Sequence, residues 1–446
     1  MNGTHVTLNN QRHFVFAATL AAALLLLTGS ANAQYLTVRC VPTTNPNPSC
    51  AKYYHTISAA VGAAVSGDII LVGPGIYPEY VTIGTGKDSL SIFGAQAGKD
   101  AREDRHDPAK ESIVDASTTG GHPTFYITVP YVVIDGFTIK GGSGSTYPAG
   151  IYMEGSQGLQ VLNNIIKDNG AGVVLVGGGG DVVERNLIKD NNAGSVAGYG
   201  VLAGSSTALG INDNEFSGNH AVAIAIVQAE FATITNNTSE NDGSFVVFIA
   251  TLGGLFKHNR GRNFGAKGVL PVEVTDPPGT DADAAVDIGS GNIALEISDN
   301  DLEEGDGSIS NGIAFSTAFG SSYESYTDSE DVLVKNNRIK GFKCNGIVAE
   351  TDTTVDPTQG MTRYSSIVDN KVDDNGHDGI FIEGAGLYNT NISLFENQVE
   401  GSPVFDCQDT STATTGYTLG THDTWFNNIG ATSYPAGLCT ARGWHH

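Results

Sequence analysis

The sequence predicts an all-β fold: a right-handed, single-stranded parallel β-helix (a solenoid) with a short N-terminal capping helix. Three observations predict it. Gly accounts for 57 of 446 residues, about twice its usual share, while charged residues make up only 16%. Short apolar segments alternate with Asn-Asn or Asp-Asn pairs, as in VLNNIIKDNGAGVVLV and ITNNTSENDGSFVVFI. This pattern recurs at a period in the low twenties, the length of one three-stranded solenoid coil.

The spacing of the Asn residues sets the length of a coil. Asn164 and Asn186 are 22 residues apart, Asn214 and Asn237 are 23 apart, and Asn237 and Asn259 are 22 apart. One coil cannot bury its apolar face alone, so neighbouring coils must stack and align equivalent side chains. We expect these Asn residues to take left-handed backbone angles at a turn and to form an amide ladder along the stack.

Residues 1–33 have the pattern of a signal peptide. Arg12 precedes an apolar run from Phe14 to Leu27, and an Ala-Asn-Ala cleavage pattern ends at residue 33. The run is too short for a comfortable membrane span, so no membrane association is expected. We expect residues 34–446 to form one exported β-helix domain, extracellular or periplasmic, and to act as a monomer.

Both ends of a solenoid expose apolar core and unpaired strand edges, and the sequence predicts a cap at each. The N-terminal cap covers about residues 34–67 and includes a helix from Ser58 to Val65, with Ser58 as N-cap and Gly67 as stop signal. The C-terminal segment of about residues 403–446 is expected to be closed by a disulfide.

The chain contains five cysteines, and export permits disulfides. Local spacing predicts two pairs, Cys40–Cys50 and Cys407–Cys439. Cys344 is then left over, either as a reactive thiol or as a small buried apolar residue, and the second interpretation is favoured.

The opening segment YHTISAAVGAAVSGDIILVGPGIYPEYVTI resembles the N-terminal cap and first coil of pectin-lyase-like β-helix proteins. VVIDGFTIKGG and the Asn-rich coils resemble the repeat of that superfamily, so the resemblance covers nearly all of residues 34–446. It implies the fold but no single activity, because this solenoid carries lyases, hydrolases, esterases, epimerases and non-catalytic surface proteins.

The catalytic motifs of those enzymes are not found. There is no DFIFG-like segment of a methylesterase, and HDPAKE lacks the second His of the epimerase motif. DDNGHDGIFIE has a slight likeness to polygalacturonase-type hydrolases through Asp373, Asp374 and His377. We interpret His377 as an ordinary coil-turn residue, because His220 occupies a similar turn. Catalytic residues are therefore not assigned from the sequence.

Three spacings between successive Asn positions, 41, 37 and 33 residues, lie between one coil and two, from Asn259 through Asn370. Since coils stack about 4.8 Å apart, insertions at matching corners would form one wall of a ligand groove. The predicted insertions are Gly265 to Asp287, Thr317 to Asp331 and Glu350 to Tyr364.

These insertions combine carboxylates with Tyr side chains, which suits a sugar ring or an acidic sugar bridged by Ca²⁺. The candidate substrate-binding residues are Tyr323, Tyr326, Arg363 and Tyr364. The candidate Ca²⁺ ligands are Asp281, Asp283 and Asp287, although their segment lacks the Gly and terminal Glu of an EF-hand. The alternative is that these are solvated loops without a ligand.

The net charge of −25 repels nucleic acid, so no nucleic-acid partner is expected. Two functions remain. The first is an exported protein that engages extracellular polysaccharide, as a divergent lyase or hydrolase. The second is a non-catalytic β-helix of a surface layer or an adhesin. Whether the protein is an enzyme is left open by the sequence.

Overall fold

The protein is described by a computed structural model, which covers residues 37–41, 49–103, 105, 107–144, 148–192, 198–265, 284–305, 309–316, 329–350, 362–384, 389–411 and 421–441. The chain winds repeatedly through three long parallel sheets, here called A, B and C, in that order. A typical coil contributes one strand to each sheet. The prediction of a right-handed parallel β-helix is confirmed.

The strands are short, and each pairs in parallel with its equivalents in the neighbouring coils. Sheet A consists of Lys52–Tyr53, Val38–Val41, Ile69–Val72, Ser91–Phe93, Val133–Asp135, Gln160–Leu162, Val182–Glu184, Gly210–Asn212, Thr233–Thr235, Leu255–Lys257, Glu296–Ser298, Leu333–Lys335, Ser366–Val368, Ser393–Phe395 and Thr424–Phe426. Sheet B consists of Gly75–Tyr77, Ser112–Asp115, Phe137–Lys140, Ile165–Lys167, Leu187–Lys189, Glu215–Ser217, Thr238–Glu240, Arg260–Arg262, Asp301–Glu303, Arg338–Lys340, Lys371–Asp373 and Gln398–Glu400. Sheet C consists of Val81–Ile83, Phe125–Ile127, Ala149–Glu154, Ala171–Val176, Tyr199–Gly204, Val222–Val227, Ser244–Ile249, Ala284–Ile288, Asn311–Phe315, Ile347–Ala349, Asp378–Ile382, Phe405–Asp409 and Ser433–Tyr434. A two-stranded sheet pairs Ser329–Glu330 with Thr362–Arg363.

A helix, Ile57–Ala63, lies near the N-terminal end of the stack, and a single 3₁₀ turn, Pro108–Lys110, precedes sheet B. The helix starts one residue earlier than predicted. Thr56 is its N-cap, because Thr56 has the extended backbone that a cap requires, whereas Ser58 lies inside the helix and donates to Glu79. Among the described residues, no helix is both long and apolar enough to span a membrane.

The predicted amide ladder runs along the corner between sheets A and B. The Asn214 amide, for example, donates to the Val183 carbonyl (2.8 Å) and to Asn237 Oδ1 (3.0 Å). Its ten rungs are Asn164, Asn186, Asn214, Asn237, Asn259, Asn300, Asn337, Asn370, Asn397 and Asn428.

The left-handed backbone angle was predicted for the ladder Asn but lies at another residue of each turn. It belongs to the residue before the rung, such as Asp213 (φ +55°) or Asn236 (φ +57°). The rung directs its amide inward between coils, and the preceding residue makes the turn. That position also accepts Arg185 and Glu396, so it does not require Asn.

Disulfides join Cys40 to Cys50 and Cys407 to Cys439, one near each end of the stack. Both pairs match those expected from local spacing. Cys344 is a buried thiol outside these two disulfides, as expected. The interior between the sheets is filled by Ile, Val, Leu and Phe side chains from every described coil.

Candidate functional site

The long connections of the chain from residue 133 onward border sheet C. From residue 133 onward, one or two residues join each strand of sheet A to the next strand of sheet B, which leaves the ladder corner without insertions. The first predicted insertion lies between Arg260–Arg262 of sheet B and Ala284–Ile288 of sheet C. The other two follow strands of sheet C and precede sheet A, so the expectation of one shared corner is wrong. The first insertion precedes a strand of sheet C and the other two follow strands of sheet C. The insertions therefore lie at both ends of the strands of this sheet.

Most of each insertion, residues 266–283, 317–328 and 351–361, lies outside the described residues, as do Asp281, Asp283, Tyr323 and Tyr326. Arg363 is described and pairs in register with Glu330 in the two-stranded sheet. Tyr364 follows it with φ +51° and a largely exposed ring. Both therefore lie at the corner between sheets C and A, where the second and third insertions connect the two sheets.

The outer face of sheet C is apolar in its N-terminal coils. The central column of side chains on this face runs in register through Tyr126, Tyr152, Val174, Leu202, Ala225 and Val247. The rings of Tyr126 and Tyr152 are tilted against each other with centroids 5.8 Å apart. Tyr152, Val174, Ala225 and Val247 are buried, whereas Tyr126 and Leu202 are partly exposed.

The apolar column is interrupted at Asp287, which follows Val247 in register and is itself followed by Ala314, Val348 and Phe381. Asp287 is almost fully buried, and its Oδ1 accepts a hydrogen bond from the Ser316 hydroxyl (2.5 Å). A buried carboxylate is costly unless hydrogen bonds or charges compensate it, so this position is not an ordinary surface acid. Asp287 is thus brought to sheet C, while its predicted role in Ca²⁺ binding stays a prediction.

Beyond Asp287, a network of amides and carboxylates crosses the next coils. Asn311 Nδ2 donates to Glu350 Oε1 (3.2 Å), and Asn345 Nδ2 donates to Asn311 Oδ1 (3.0 Å). The N–H of Asp378 donates to Asn345 Oδ1 (3.3 Å). Asn311, Asn345 and Asp378 stand in equivalent positions of consecutive strands, so Asp378 replaces an Asn of this column with an acid.

Asp378 forms a pair with His377. The carboxyl is inaccessible to solvent, whereas the His377 side chain is 41% exposed, and Nδ1 lies 2.9 Å from Asp378 Oδ2. Burial raises the pKa of Asp378, and the neighbouring His377 and the N–H of Phe405 offset part of that rise. A buried carboxyl that holds Nδ1 orients the imidazole and leaves Nε2 available for proton transfer.

The sequence pattern points to His377 but not to Asp378. It grouped His377 with Asp373 and Asp374, which lie on sheet B and at its corner and pair instead with Lys371 (2.6 Å) and Lys340 (3.7 Å). The available signal was the His-Asp pair directly before an apolar strand, where earlier coils carry Asn. Whether His377 belongs with Asp373 and Asp374 or with Asp378 can be decided only when the strand register is known.

A sequence profile of the family described as "Periplasmic copper-binding protein (NosD)" matches residues 118–259. The matched part is about a third of the chain and consists of coils. A comparison with curated protein sequences finds no match.

The described residues do not fit a copper site. Copper in proteins favours His, Cys and Met ligands. Within the matched segment, His122 stacks on Tyr80 at 4.3 Å, His258 lies 3.6 Å from Asp299, and Met153 is buried in the core. In the part of the chain that the structure describes, no group of three or more His, Cys, Asp or Glu side chains is placed to hold a metal ion.

Solved structures with the same architecture include the A-module of a mannuronan C-5 epimerase from Azotobacter vinelandii, with TM-score 0.54, 12% identity, and coverage of 84% of this chain and 93% of that one. An alginate lyase from a Paenibacillus species matches with TM-score 0.45, 14% identity and coverage of 76% and 94%. PfbA, a surface adhesin of Streptococcus pneumoniae, matches with TM-score 0.49, 16% identity and coverage of 81% and 88%. At such identities the likeness concerns the fold alone, and it agrees with the all-parallel sheets of a right-handed parallel β-helix.

Proposed function

We propose that the protein is exported and binds an extracellular polysaccharide along the outer face of sheet C, where it performs acid–base chemistry as a lyase or a hydrolase. The observation that carries the proposal is the pairing of exposed His377 with buried Asp378 on the same sheet face as buried Asp287 and Glu350. The fold supports it, since a mannuronan C-5 epimerase has the same architecture.

The residues divide naturally into two roles. With Nδ1 directed at Asp378, the His377 imidazole presents Nε2 as a general base. Glu350, a buried carboxyl that accepts a hydrogen bond from the Asn311 amide (3.2 Å), would be the general acid that protonates the leaving glycosidic oxygen. If His377 removes a proton from a sugar carbon beside a carboxylate, elimination follows, and if it removes one from water, hydrolysis follows.

The apolar N-terminal part of sheet C extends this site along the axis. Partly exposed Tyr126 packs on buried Tyr152 in the same central column as Asp287, several coils away. Aromatic and aliphatic side chains pack against the C–H faces of sugar rings, whereas carboxylates and amides bind hydroxyl groups. A long polymer rather than a single sugar suits this arrangement.

Two further contacts are proposed from the sequence. Tyr323, Tyr326, Arg363 and Tyr364 would contact the sugar at the edge of sheet C where the second and third insertions leave it. Ca²⁺ held by Asp281, Asp283 and Asp287 would neutralise an acidic sugar. Calorimetric titration with Ca²⁺ tests the second contact, and the absence of heat would contradict it.

The proposal is tested by incubating residues 34–446 with a panel of neutral and acidic polysaccharides. New ultraviolet absorbance indicates unsaturated products and a lyase, whereas new reducing ends without that absorbance indicate a hydrolase. Binding without either product would contradict catalysis and support the non-catalytic alternative. Failure to bind any polysaccharide would contradict the proposal as a whole.

Two substitutions locate the activity. We expect His377→Gln and Asp378→Asn each to lower kcat by about a hundredfold or more, the usual effect of removing a general base or the group that orients it. Asn at 378 preserves the fold, because Asn311 and Asn345 already occupy equivalent positions. His220→Gln, at the corresponding corner of an earlier coil, is the matched control and should retain full activity.

A further inference from the structure

A wall lies beside sheet B in the first coils. It is formed by the connection 94–111, the long exception to the one- or two-residue spacing between sheets A and B in the described residues. The connection runs along the stack: the N–H of Ala101 donates to the Arg185 carbonyl (3.2 Å), and Arg105 Nη1 donates to the Asn163 carbonyl (2.5 Å). The connection therefore contacts coils that come later in the stack than the coil to which it belongs.

A row of lysines stands opposite this wall. Lys140, Lys167 and Lys189 occupy equivalent positions on three consecutive strands of sheet B. Parallel neighbours are about 4.8 Å apart, so the row presents an ammonium group at each coil. The side chains are partly exposed, so their aliphatic stems lie along the sheet and their charged ends remain accessible.

A cleft of about 320 Å³ lies between the wall and the row. Its floor includes Ile165 and Leu187, whose side chains point outward from sheet B. Arg105, Pro108 and Glu111 line the side formed by the wall. The cleft therefore combines an aliphatic floor with cationic groups along one side.

The acid that lines this cleft is neutralised. Glu111 is buried and accepts hydrogen bonds from Arg105 through both carboxylate oxygens (3.0 and 2.5 Å) and from the Thr138 hydroxyl (3.0 Å). Nearby acids partly compensate the row, since Lys140 pairs with Asp115 at 2.9 Å and Lys167 pairs with Asp168 at 3.4 Å. Four basic side chains against one acidic side chain still line the cleft, in a chain of net charge −25. The cleft is thus a local reversal of the protein's overall charge.

We propose that this cleft is a second glycan-binding site that takes an anionic oligosaccharide, separate from the site on sheet C. The apolar face of a sugar ring would pack on Ile165 and Leu187. Carboxylate or sulfate groups on successive sugars would meet the ammonium groups of the lysine row, which repeats at a similar scale. Without this cleft, a chain so acidic would repel such a polymer. The inference does not depend on catalysis at sheet C.

The test is calorimetric titration of residues 34–446 with three oligosaccharides of equal length: a uronate oligomer, a sulfated oligomer and a neutral glucose oligomer. The titrations use protein carrying His377→Gln so that no turnover at sheet C accompanies binding, and the lysine variant described below separates binding in the cleft from binding on sheet C. We expect binding of at least one anionic oligomer, weakening as salt is raised, and no comparable binding of the neutral one. Whichever anionic oligomer binds identifies the charged group recognised.

Replacing Lys140, Lys167 and Lys189 together by Gln should weaken that binding about tenfold or more, the combined effect of three partly exposed ion pairs. Lys335→Gln, an exposed position on sheet A, is the matched control and should leave the affinity unchanged. Equal affinity of the triple variant, equal binding of the neutral oligomer, or no binding of either anionic oligomer would overturn the proposal. Unchanged circular dichroism of the triple variant shows that any loss is not unfolding.

Discussion

Asp242 occupies a rung of a second amide ladder, at the corner between sheets B and C. Its Oδ1 accepts from the Asn219 backbone N–H (2.7 Å) and Nδ2 (2.9 Å), and its Oδ2 accepts from the Ser239 hydroxyl (2.6 Å). Burial raises the pKa of Asp242 to about 7, although these hydrogen bonds oppose the rise. The folded state therefore holds a proton that the unfolded chain releases near its ordinary pKa of 3.8.

It follows that Asp242 makes stability depend on pH. Its contribution is complete below about pH 4 and is lost as pH rises towards about 7, by at most about 4 kcal/mol. We expect Asp242→Asn, which restores the usual ladder residue, to reduce the fall in Tm between about pH 5 and about pH 8. Thermal unfolding at both pH values measures this. An unchanged pH profile would contradict it, and partly exposed Asp213→Asn serves as control.

A rung in the middle of the first ladder is predicted to contribute strongly to stability. Removing the Asn214 amide with Asn214→Ala deprives the Val183 carbonyl and the Asn186 backbone N–H of the buried partners that Asn214 supplies. Each unsatisfied buried group costs about 1–3 kcal/mol, so a loss of about 2–5 kcal/mol is expected in urea unfolding. Asn212→Ala, at a partly exposed position in the same coil, should cost less than about 1 kcal/mol. Equal losses in the two variants would show that the ladder adds no special stability.

At the scale of elements, the C-terminal end contains a pair of buried acids. The Ser411 hydroxyl bonds both Asp409 (2.6 Å) and Asp423 (3.1 Å), and Trp425 Nε1 donates to Asp409 (2.8 Å). Burial, followed by the charge of Asp409, raises the pKa of Asp423 to about 8. Strand Phe405–Asp409 of sheet C and the residue before Thr424–Phe426, the last strand of sheet A, thus share a proton that is lost as pH rises through that value.

We expect this end to open preferentially at alkaline pH. Because the folded pKa is raised, the stabilisation is complete below about pH 4 and decreases towards about pH 8. Asp423→Asn should therefore slow limited proteolysis near Phe405–Asp409 and Thr424–Phe426 at about pH 8.5, with a smaller effect at about pH 5. Cleavage that is equally fast in both proteins at the higher pH would contradict this assignment.

The sequence predicts the stacked coils better than it predicts the candidate site on sheet C. A coil is local, so the spacing of Asn214 and Asn237 was enough to predict the stack. The site is not local, because Asp287 and Asp378 are 91 residues apart. Their common face depends on the corner at which each insertion lies and on the exact register, since one residue of slippage turns a side chain to the opposite face. Asp378 was missed for that reason.

At the scale of the whole molecule, the ends and the middle of the stack should respond independently. Each coil contacts only its neighbours, so a constraint at one end is transmitted weakly to distant coils. The two disulfides lie at the ends: Cys40 belongs to strand Val38–Val41 of sheet A, and Cys407 to strand Phe405–Asp409 of sheet C. Each disulfide restricts the unfolded form of its own terminal segment. In the chain-entropy model this stabilises the folded state by about 3 kcal/mol.

We therefore expect reduction of both disulfides to speed amide hydrogen exchange in those two strands and in their direct neighbours. Exchange in Ser244–Ile249, in the middle of sheet C, should change little. Mass spectrometry of peptides with and without reductant measures the exchange along the chain. A Cys344→Ala variant, which lacks the thiol outside the two disulfides, should give the same result. A uniform rise in exchange across all coils would instead mean that the solenoid unfolds as one cooperative unit, since the loss of terminal restraint would then lower the stability of every coil together.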